Sequence, residues 1–572
     1  MFFRVKKAGP RHYLQIVQNY WDKEKKKSRQ RVLATLGRQD QLCANGRFDS
    51  LIKSAERFTD KLLILSEHEK GETTRISTRK LGSTLVFQRL WKESGCEKII
   101  KGLLAQRHFE FDVEKAVFLS VLHRLFESDS DRHCALWQKD YHLEDQGEEG
   151  QQGELKLHHF YRAMMWLGES LWGEKEQGDE IAFSRRCTKD KIEEKLFSLR
   201  RDLFSSLEIF FFDTTSIYFE GDGGEYLGEY GHSKDHRPDR KQVVVGVVLD
   251  NEGHPVCCEI WPGNATDVKS LAPVITRLRK RFGITQLCIV ADRGMVSNEV
   301  VEWLESEGWF YILGMRMKNL KEVRDAVLSR GGRYKNVEER SEANRDKKVE
   351  AEWDSVENDA DSTTLKVKEV WEGDRRYIVC LNGEQACKDA HDREAIVKAL
   401  EAQLQKGDKS LVGNKGFRRY LKSSNSFQID REKIKQESRY DGKWVLRTNT
   451  DLDSGQVALK YKELWMVEQI FRSMKSLLST RPIYHKSTEA IKGHIFCSFL
   501  AILLIKELGR KMDAKGLKYE WNEILQSLNK LEEIKIEKEG KRFLLINDVS
   551  KCSREIFAAV GVSIPPAFRQ VD

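Results

Sequence analysis

The sequence predicts an α/β core of mixed strand direction, preceded by a β-hairpin and an all-helical domain and interrupted by a mainly β insertion domain. Three observations carry that expectation. Helical periodicity runs from about residue 81 to 205 with only Gly-rich and acidic breaks. At residue 208 the period changes to that of strands. From there three strand signals are followed by helix, strand, helix, strand, the order of a sheet with helices packed on it. The chain has 572 residues, too many for one core, and its 40% hydrophobic and 10% aromatic residues suffice to fill several.

The elements follow in order. HYLQIVQNYW and RQRVLATLG, within 12–37, are β-rich runs joined by DKEKKKS, which gathers Lys23, Lys25, Lys26, Lys27, Arg29 and Arg31 either as a solvated turn or as a phosphate-contacting patch. A helix is expected at 48–66, then a polar linker, closing a first region at 1–80. The helical domain spans 81–205, and its charged run KDKIEEKLFSLRRDLF offers either a DNA contact or, more readily, a solvated helix face. Within 206–314, EIFFFDTTSIYFE is a strand with Asp213 at its middle, and QVVVGVVLD and PVCCEIW form a hairpin. DVKSLAPVITRLRKR is a helix, TQLCIVADRG is a short buried strand ending at Asp292, and a further helix and the strand WFYILGM complete the unit. Residues 315–455 carry charged strands and turns, EVRDAVLSRGGRYKNVEERS among them, with one clear helix, DREAIVKALEAQLQKG; they predict a β-rich insertion domain. The core resumes at 456–512, and no role is assigned to 513–572.

The helix at 457–480 concentrates the chemistry. Glu468, Arg472, Lys475 and Tyr461 recur at spacings of four and seven and so share one face, while Leu464, Val467, Phe471, Met474 and Leu478 make an apolar stripe. A carboxylate is thus held on a docked helix beside two cations and a phenol. Asp213 stands among aromatic neighbours, where a lone carboxylate is costly to bury without compensation. A hydrogen bond from Thr214 or Thr215 would compensate it, and so would a metal. Asp292 is placed either to pair with Arg293 or cap the helix starting near Ser297, or to join Asp213 in a site. Three converging carboxylates are able to hold two Mg²⁺ ions, which take oxygen ligands and activate water at a phosphodiester.

The Asp213, Asp292, Glu468 order, with a β-rich insertion before the Glu helix, resembles the DDE transposases of bacterial insertion sequences, in the group whose helix carries Tyr-x2-Arg-x3-Glu-x6-Lys. Tyr461, Glu468 and Lys475 keep that spacing; the Arg position is Leu464, for which Arg472 is a substitute one turn after Glu468. FFFDTTS, GHSKDHRPD at 231–239, PGNATD at 262–267, ADRGM at 291–295 and RPIYH at 481–485 extend the likeness over about 208–505. The resemblance implies a ribonuclease-H-like catalytic core in which Asp213, Asp292 and Glu468 bind Mg²⁺, with Mn²⁺ able to substitute. It implies cut-and-paste movement of DNA: strand cleavage at the transposon ends, then strand transfer. Lys475 and Tyr461 would contact phosphates, and Trp465 either stacks on an unpaired base or packs. The implied partners are double-stranded DNA, both the terminal inverted repeats and the target, and a second copy of the chain in a synaptic homodimer, in a bacterial cytoplasm at the nucleoid. A transposase-derived DNA-binding protein that no longer cuts, and another nuclease of this fold, are the competing expectations.

Further features are open or negative. Asn264 and Asp267 either cap a helix or face the site, and His232, Lys234 and His236 lie in a loop too charged to single one out. The 98 Lys and Arg against 90 Asp and Glu leave only +8, so DNA binding requires clustered charge. The 11 cysteines include no CxxC pair, and Cys380, Cys387 and His391 match no zinc spacing, so reduced thiols are expected. The start lacks a signal-peptide core, and the longest apolar run, 495–505, suits a buried helix better than a membrane span.

Overall fold

A computed structural model of the chain describes residues 2–22, 27–44, 48, 75–142, 154–171, 185–200, 208–224, 226–284, 286–337, 365–406, 420–423, 427–538 and 541–571. The chain divides into two compact units. One is Met1–Thr78 with Glu533–Asn547 and Pro566–Asp572; the other is Arg79–Glu532 with Asp548–Pro565.

In the first unit β1 (Phe2–Ala8), β2 (Arg11–Asp22) and β3 (Lys27–Arg38) form an antiparallel sheet in that order. The hairpin read from the sequence is β2–β3, with Ile16 opposite Ala34 and Tyr20 opposite Arg29. Strand β1 escaped notice because almost every position in it is exposed, so no buried alternation marks it. Lys23, Lys25 and Lys26 of the turn, and all but one residue of the helix expected at 48–66, lie outside the described residues. Strand β4 (Arg75–Lys80) follows.

The second unit is built on a nine-stranded sheet. Its strands are β5 (Glu208–Tyr218), β6 (Gln242–Leu249), β7 (Pro255–Pro262), β8 (Leu287–Ala291), β9 (Phe310–Met315), β10 (Lys335–Asn336), β11 (Leu365–Glu372) and β12 (Arg375–Asn382). After a small hairpin, β13 (Leu421–Ser423) and β14 (Phe427–Ile429), comes the ninth, β15 (Lys443–Thr448). The order across the sheet is β10-β11-β12-β15-β9-β8-β5-β6-β7. Strands β5, β8 and β9 run parallel and the other pairs antiparallel, the mixed sheet that the sequence predicts. The aromatic and β-branched run of β5 buries Phe210, Phe211 and Phe212 almost completely. Phe210 and Phe212 pack with helices Asp267–Phe282 and Asn298–Ser306 on one face of the sheet. Truncating such a phenylalanine to alanine costs about 3–5 kcal/mol.

The insertion is not a separate β domain. Strands β10, β11, β12 and β15 all join the core sheet, β15 pairing directly with β9 through Val445 opposite Met315. Alternation along a strand shows that one face is buried, not which sheet it joins, and the free edge of β9 offered the partner. What stands apart is a smaller, helix-rich lobe: helices Gly383–Gln405 and Arg431–Ser438 with the β13–β14 hairpin, around Leu400 and Tyr420. Glu322–Val327, expected within charged strands and turns, is a wide helical turn.

The segment at 81–205 is helical wherever described, but it is not a separate domain either. Its helices Val113–Phe126 and Leu157–Gly168 pack on the long helix Thr488–Asp513, where a β-carbon on Gly493 would fall 2.1 Å from the Met164 carbonyl oxygen. By length and composition Thr488–Asp513 would span a membrane, yet 78% of its most apolar window is buried inside the protein, as expected of a core helix. The C-terminal region is divided: helices Trp521–Asn529 and Lys551–Val560 belong to the second unit, while β16 (Glu532–Lys538), β17 (Lys541–Ile546) and β18 (Phe568–Val571) complete a sheet with β4. Ten of the cysteines, from Cys96 to Cys552, are free thiols.

Candidate active site

The parallel strands set the level of the site. Phe212 on β5 lies opposite Ala291 on β8, and Ala291 opposite Leu313 on β9. The residues one step further along, Asp213, Asp292 and Gly314, therefore stand at one height across three adjacent strands, at the carboxyl ends of β8 and β9, where open α/β sheets hold ligands. Asp213 Oδ1 accepts a 2.7 Å hydrogen bond from the Thr214 N–H. Burial pushes its carboxyl up to about 6, with Asp292 and Asp267 adding to the effect and Lys234 and the Thr214 N–H opposing it. The structural alternatives for Asp292 do not hold. Among the described residues it has no ion pair with Arg293, and the helix at Asn298–Ser306 is capped by Ser297, whose Oγ accepts from Val300 N at 3.2 Å.

Asp292 Oδ1 instead accepts from the Tyr461 hydroxyl at 2.9 Å. Gly314 makes this possible, because a β-carbon there would fall 2.3 Å from that hydroxyl oxygen. Tyr461 was expected to grip phosphate; it is spent on a carboxylate, and burial with Asp292 alongside pushes its phenol well above the ordinary range.

The predicted single helix carrying Glu468 is three segments: α-helix Ser454–Lys462, a turn, α-helix Trp465–Arg472, and a wide turn at Ser473–Leu477. Its apolar stripe is largely as read: Val467, Phe471, Met474 and Leu478 are buried, and Trp465–Arg472 packs against β5 and β6. Glu468 is exposed, and its carboxylate makes no hydrogen bond or ion pair with a described residue. Arg472 is likewise exposed, its guanidinium without a partner among the described residues. Trp465 is 43% exposed, which disfavours a packing role.

Lys475 differs from expectation. Its ammonium donates to Asp235 Oδ1 at 2.7 Å, and the same oxygen receives Arg481. With Asp235 only 2% exposed and Lys475 12%, this lysine anchors the 231–239 loop and is not presented to a phosphate.

Two residues left undecided by the sequence belong at the site. Asp267 does not cap its helix: the cap position is Thr266, without a side-chain bond. Asp267 Oδ1 accepts from Thr214 Oγ1 at 2.6 Å, and its Oδ2 lies 3.3 Å from Lys234 Nζ. A β-carbon on Gly294 would be 3.7 Å from Asp267 Oδ2 and 4.0 Å from Asp292 Oδ2, so both carboxylates border the same space. The signal was glycine. Gln242 Nε2 donates to the His232 and Gly263 carbonyls at 3.1 and 3.0 Å, and a β-carbon on Gly263 would strike the Gln242 carbonyl oxygen at 2.1 Å. Glycine in PGNATD thus lets the 231–239 loop and the start of the Asp267 helix close on β6, which brings Lys234 to Asp267.

Three aspartates facing one lysine leave the cluster short of positive charge, and hard carboxylate oxygens suit a divalent cation. The acids are open in this state: among the described residues, the only three metal-ligating side chains with ligand atoms all within 4.8 Å are Asp131, His485 and His494, not Asp213, Asp292 and Glu468. That trio is already satisfied. His485 pairs with Asp131 at 3.1 Å, while His494 lies 2.9 Å from the Arg124 guanidinium and 3.1 Å from the Thr480 carbonyl oxygen.

Comparison with known proteins gives two family matches. Residues 205–504 match the Transposase DDE domain, and residues 3–69 match the IS1634 family transposase, N-terminal domain. No curated protein matches the chain. Among solved structures, the cryo-EM structure of the piggyBac transposase synaptic complex with hairpin DNA is similar at 10% identity and a TM-score of 0.38, covering 78% of this chain and 79% of that one. That likeness is too loose to bear on the site.

Proposed function

The chain belongs to the transposases with a DDE domain, which use divalent metal ions, and from that premise we propose that Asp213, Asp292 and Glu468 are its metal-binding acids. It is an insertion-sequence transposase. The observation that carries the site assignment is the register that sets Asp213 beside Asp292 on neighbouring parallel strands, within the matched residues.

The proposed reaction is cleavage at the transposon ends followed by attack of the freed 3′-hydroxyl on target DNA, in cut-and-paste order. Bound Mg²⁺, or Mn²⁺ in its place, supplies the charge that activates the attacking oxygen and steadies the leaving one. Asp213 holds its carboxylate in the centre of the sheet, where the strand backbone fixes its position. Tyr461 keeps Asp292 in one orientation by donating to Oδ1. Glu468 projects from a helix docked by its apolar stripe and is free to close on the other two acids when DNA and metal arrive. Arg472 and Trp465, exposed on that helix, contact a phosphate and an unpaired base. The DNA partners are the terminal inverted repeats and the target, held by a homodimer that pairs two ends.

The test is metal-dependent cleavage of a DNA fragment bearing the ends of the native element. Wild type should cut, while Asp213→Ala and Glu468→Gln should bind the same DNA and leave it intact. Binding without cutting by the wild type would instead describe a transposase-derived DNA-binding protein.

A further inference from the structure

Lys234 sits in the 231–239 loop, yet its side chain ends against Thr214, the neighbour of Asp213, and against Asp267. The ammonium is 2.8 Å from the Thr214 carbonyl oxygen, 3.0 Å from Thr214 Oγ1 and 3.3 Å from Asp267 Oδ2. A carbonyl, a hydroxyl and a carboxylate converging on one point is the donor set a hard cation takes. Thr214 follows Asp213 directly, so this cage shares a wall with the central acid. The position is built and does not result from a surface side chain at rest. The Lys234 N–H donates to Ser216 Oγ at 2.8 Å, and the next residue, Asp235, is clamped by Lys475 and Arg481. The backbone at 234 is therefore anchored on both sides, while the four-carbon stem of the lysine is free to swing.

We propose that Lys234 is a built-in counter-ion that occupies the cation cage beside Asp213 in the metal-free protein, and that a divalent cation binds the site by displacing its ammonium. This rests on the assignment of Asp213 as a metal-binding acid. The reasoning is electrostatic. Without metal, Asp213, Asp267 and Asp292 repel one another, and a single ammonium offsets part of that repulsion. An ammonium and a divalent ion cannot share one cage of three oxygens, because like charges a few ångströms apart repel strongly where water is scarce. One must leave, and the lysine is the one on a flexible stem. Lys234 is thus a positioning residue: it keeps the acids ordered and sets the metal concentration at which the site fills.

The experiment is a MnCl₂ titration of the full chain without DNA, followed by isothermal titration calorimetry, on the wild type and on Lys234→Met, Lys234→Arg and Asp213→Asn. Lys234→Met should bind the metal on the order of tenfold more tightly, since it loses a competitor worth one charge contact. Lys234→Arg keeps the charge and should stay near the wild type, which a purely structural role for the side chain would not predict. A Lys234→Met midpoint equal to or above that of the wild type overturns the counter-ion. Asp213→Asn separates the two claims: it should weaken metal binding severalfold or more, and unchanged binding there overturns the metal site itself. If circular dichroism shows Lys234→Met misfolded, Lys234→Gln carries the same expectation.

Discussion

Two clusters of acids in this protein, both within its larger unit, meet opposite electrostatic conditions. Between helix Thr188–Arg200, helix Asp267–Phe282 and β7, four carboxylates (Asp190, Glu193, Glu194 and Glu259) interlock with four cations (Arg186, Lys189, Arg277 and Arg281). Arg281 alone reaches Glu193 at 2.6 Å and both Glu194 and Glu259 at 3.0 Å while 1% exposed. Burial opposes ionisation of Asp190, but Lys189, Arg281 and Arg277 outweigh it and hold its carboxyl well below the ordinary value, whereas at Glu193 burial prevails over Lys189 and Arg281 and raises the carboxyl. At the candidate active site three aspartates face one lysine, and the Asp213 carboxyl is pushed up to about 6. The first cluster is closed on itself and ties the helical segment to the sheet. The second lacks positive charge, and that deficit marks it as the place where an outside cation belongs.

The contrast is sharpest in what a neutralising substitution does. Asp213→Asn should cut DNA-end cleavage on the order of 10³-fold without weakening the fold, because it removes one of three mutually repelling charges. The pH dependence gives the sign. Asp213 holds its proton up to about 6 in the folded protein, against about 3.9 in an unfolded chain. Its contribution to stability is therefore fully present below about pH 4 and lost as pH rises through about 6. In EDTA the melting temperature of Asp213→Asn should gain on that of the wild type between those values and hold a constant lead above them. A lead independent of pH would mean that Asp213 is not the group under strain.

Arg281→Met should do the reverse. It removes the cation shared by three interior carboxylates, leaving Glu193 to Lys189, Glu194 to Arg186 and Glu259 to Arg277, which should cost about 3–5 kcal/mol in urea denaturation, and it touches none of the acids proposed to bind metal. A loss under 1 kcal/mol would show that the lattice is less closed than its distances indicate.

This pair also shows how far the sequence could be read. Asp213 and Asp292 were legible because a carboxylate inside an aromatic strand and another at a strand end are costly places for an acid, and because their motifs joined in one order. The lattice was not: KDKIEEKLFSLRRDLF reads as a solvated charged helix face, and only the docking of β7 and the Asp267 helix makes Lys189, Asp190 and Glu193 interior. The same limit applies to β11, β12 and β15, expected as strands of an inserted domain and found in the core sheet. Residues 231–239 were too rich in charge to choose from until hydrogen bonds through Gln242 set Lys234, and not His232 or His236, against Asp267.

A smaller effect is expected where backbone space alone supports the site. Gly314→Ala places a methyl where the Tyr461 hydroxyl now lies, so the phenol must leave Asp292. Overpacking of this kind costs about 1–3 kcal/mol, and loss of a group that orients a metal-binding acid lowers activity about 10–100-fold. Tyr461→Phe should reproduce the loss of cleavage without the loss of stability. Equal stability losses in the two variants would assign Tyr461 to packing.

The smallest expected effects separate two cations that the sequence treated alike. Arg472 is exposed and unpartnered among the described residues, so Arg472→Ala should leave the melting temperature unchanged and reduce the slope of log affinity against log salt by about one, as expected for one phosphate contact. Lys475 is paired to a buried carboxylate whose second oxygen has no hydrogen-bond partner among the described residues. Lys475→Ala leaves Asp235 to Arg481 alone and should cost about 1–3 kcal/mol in stability, with the salt slope moving little. If Lys475→Ala instead lowers the slope by one at constant stability, the Asp235 pair opens when DNA binds and the lysine turns outward to a phosphate. The resting ion pair would then be a latch on the 231–239 loop, and DNA would be what releases it.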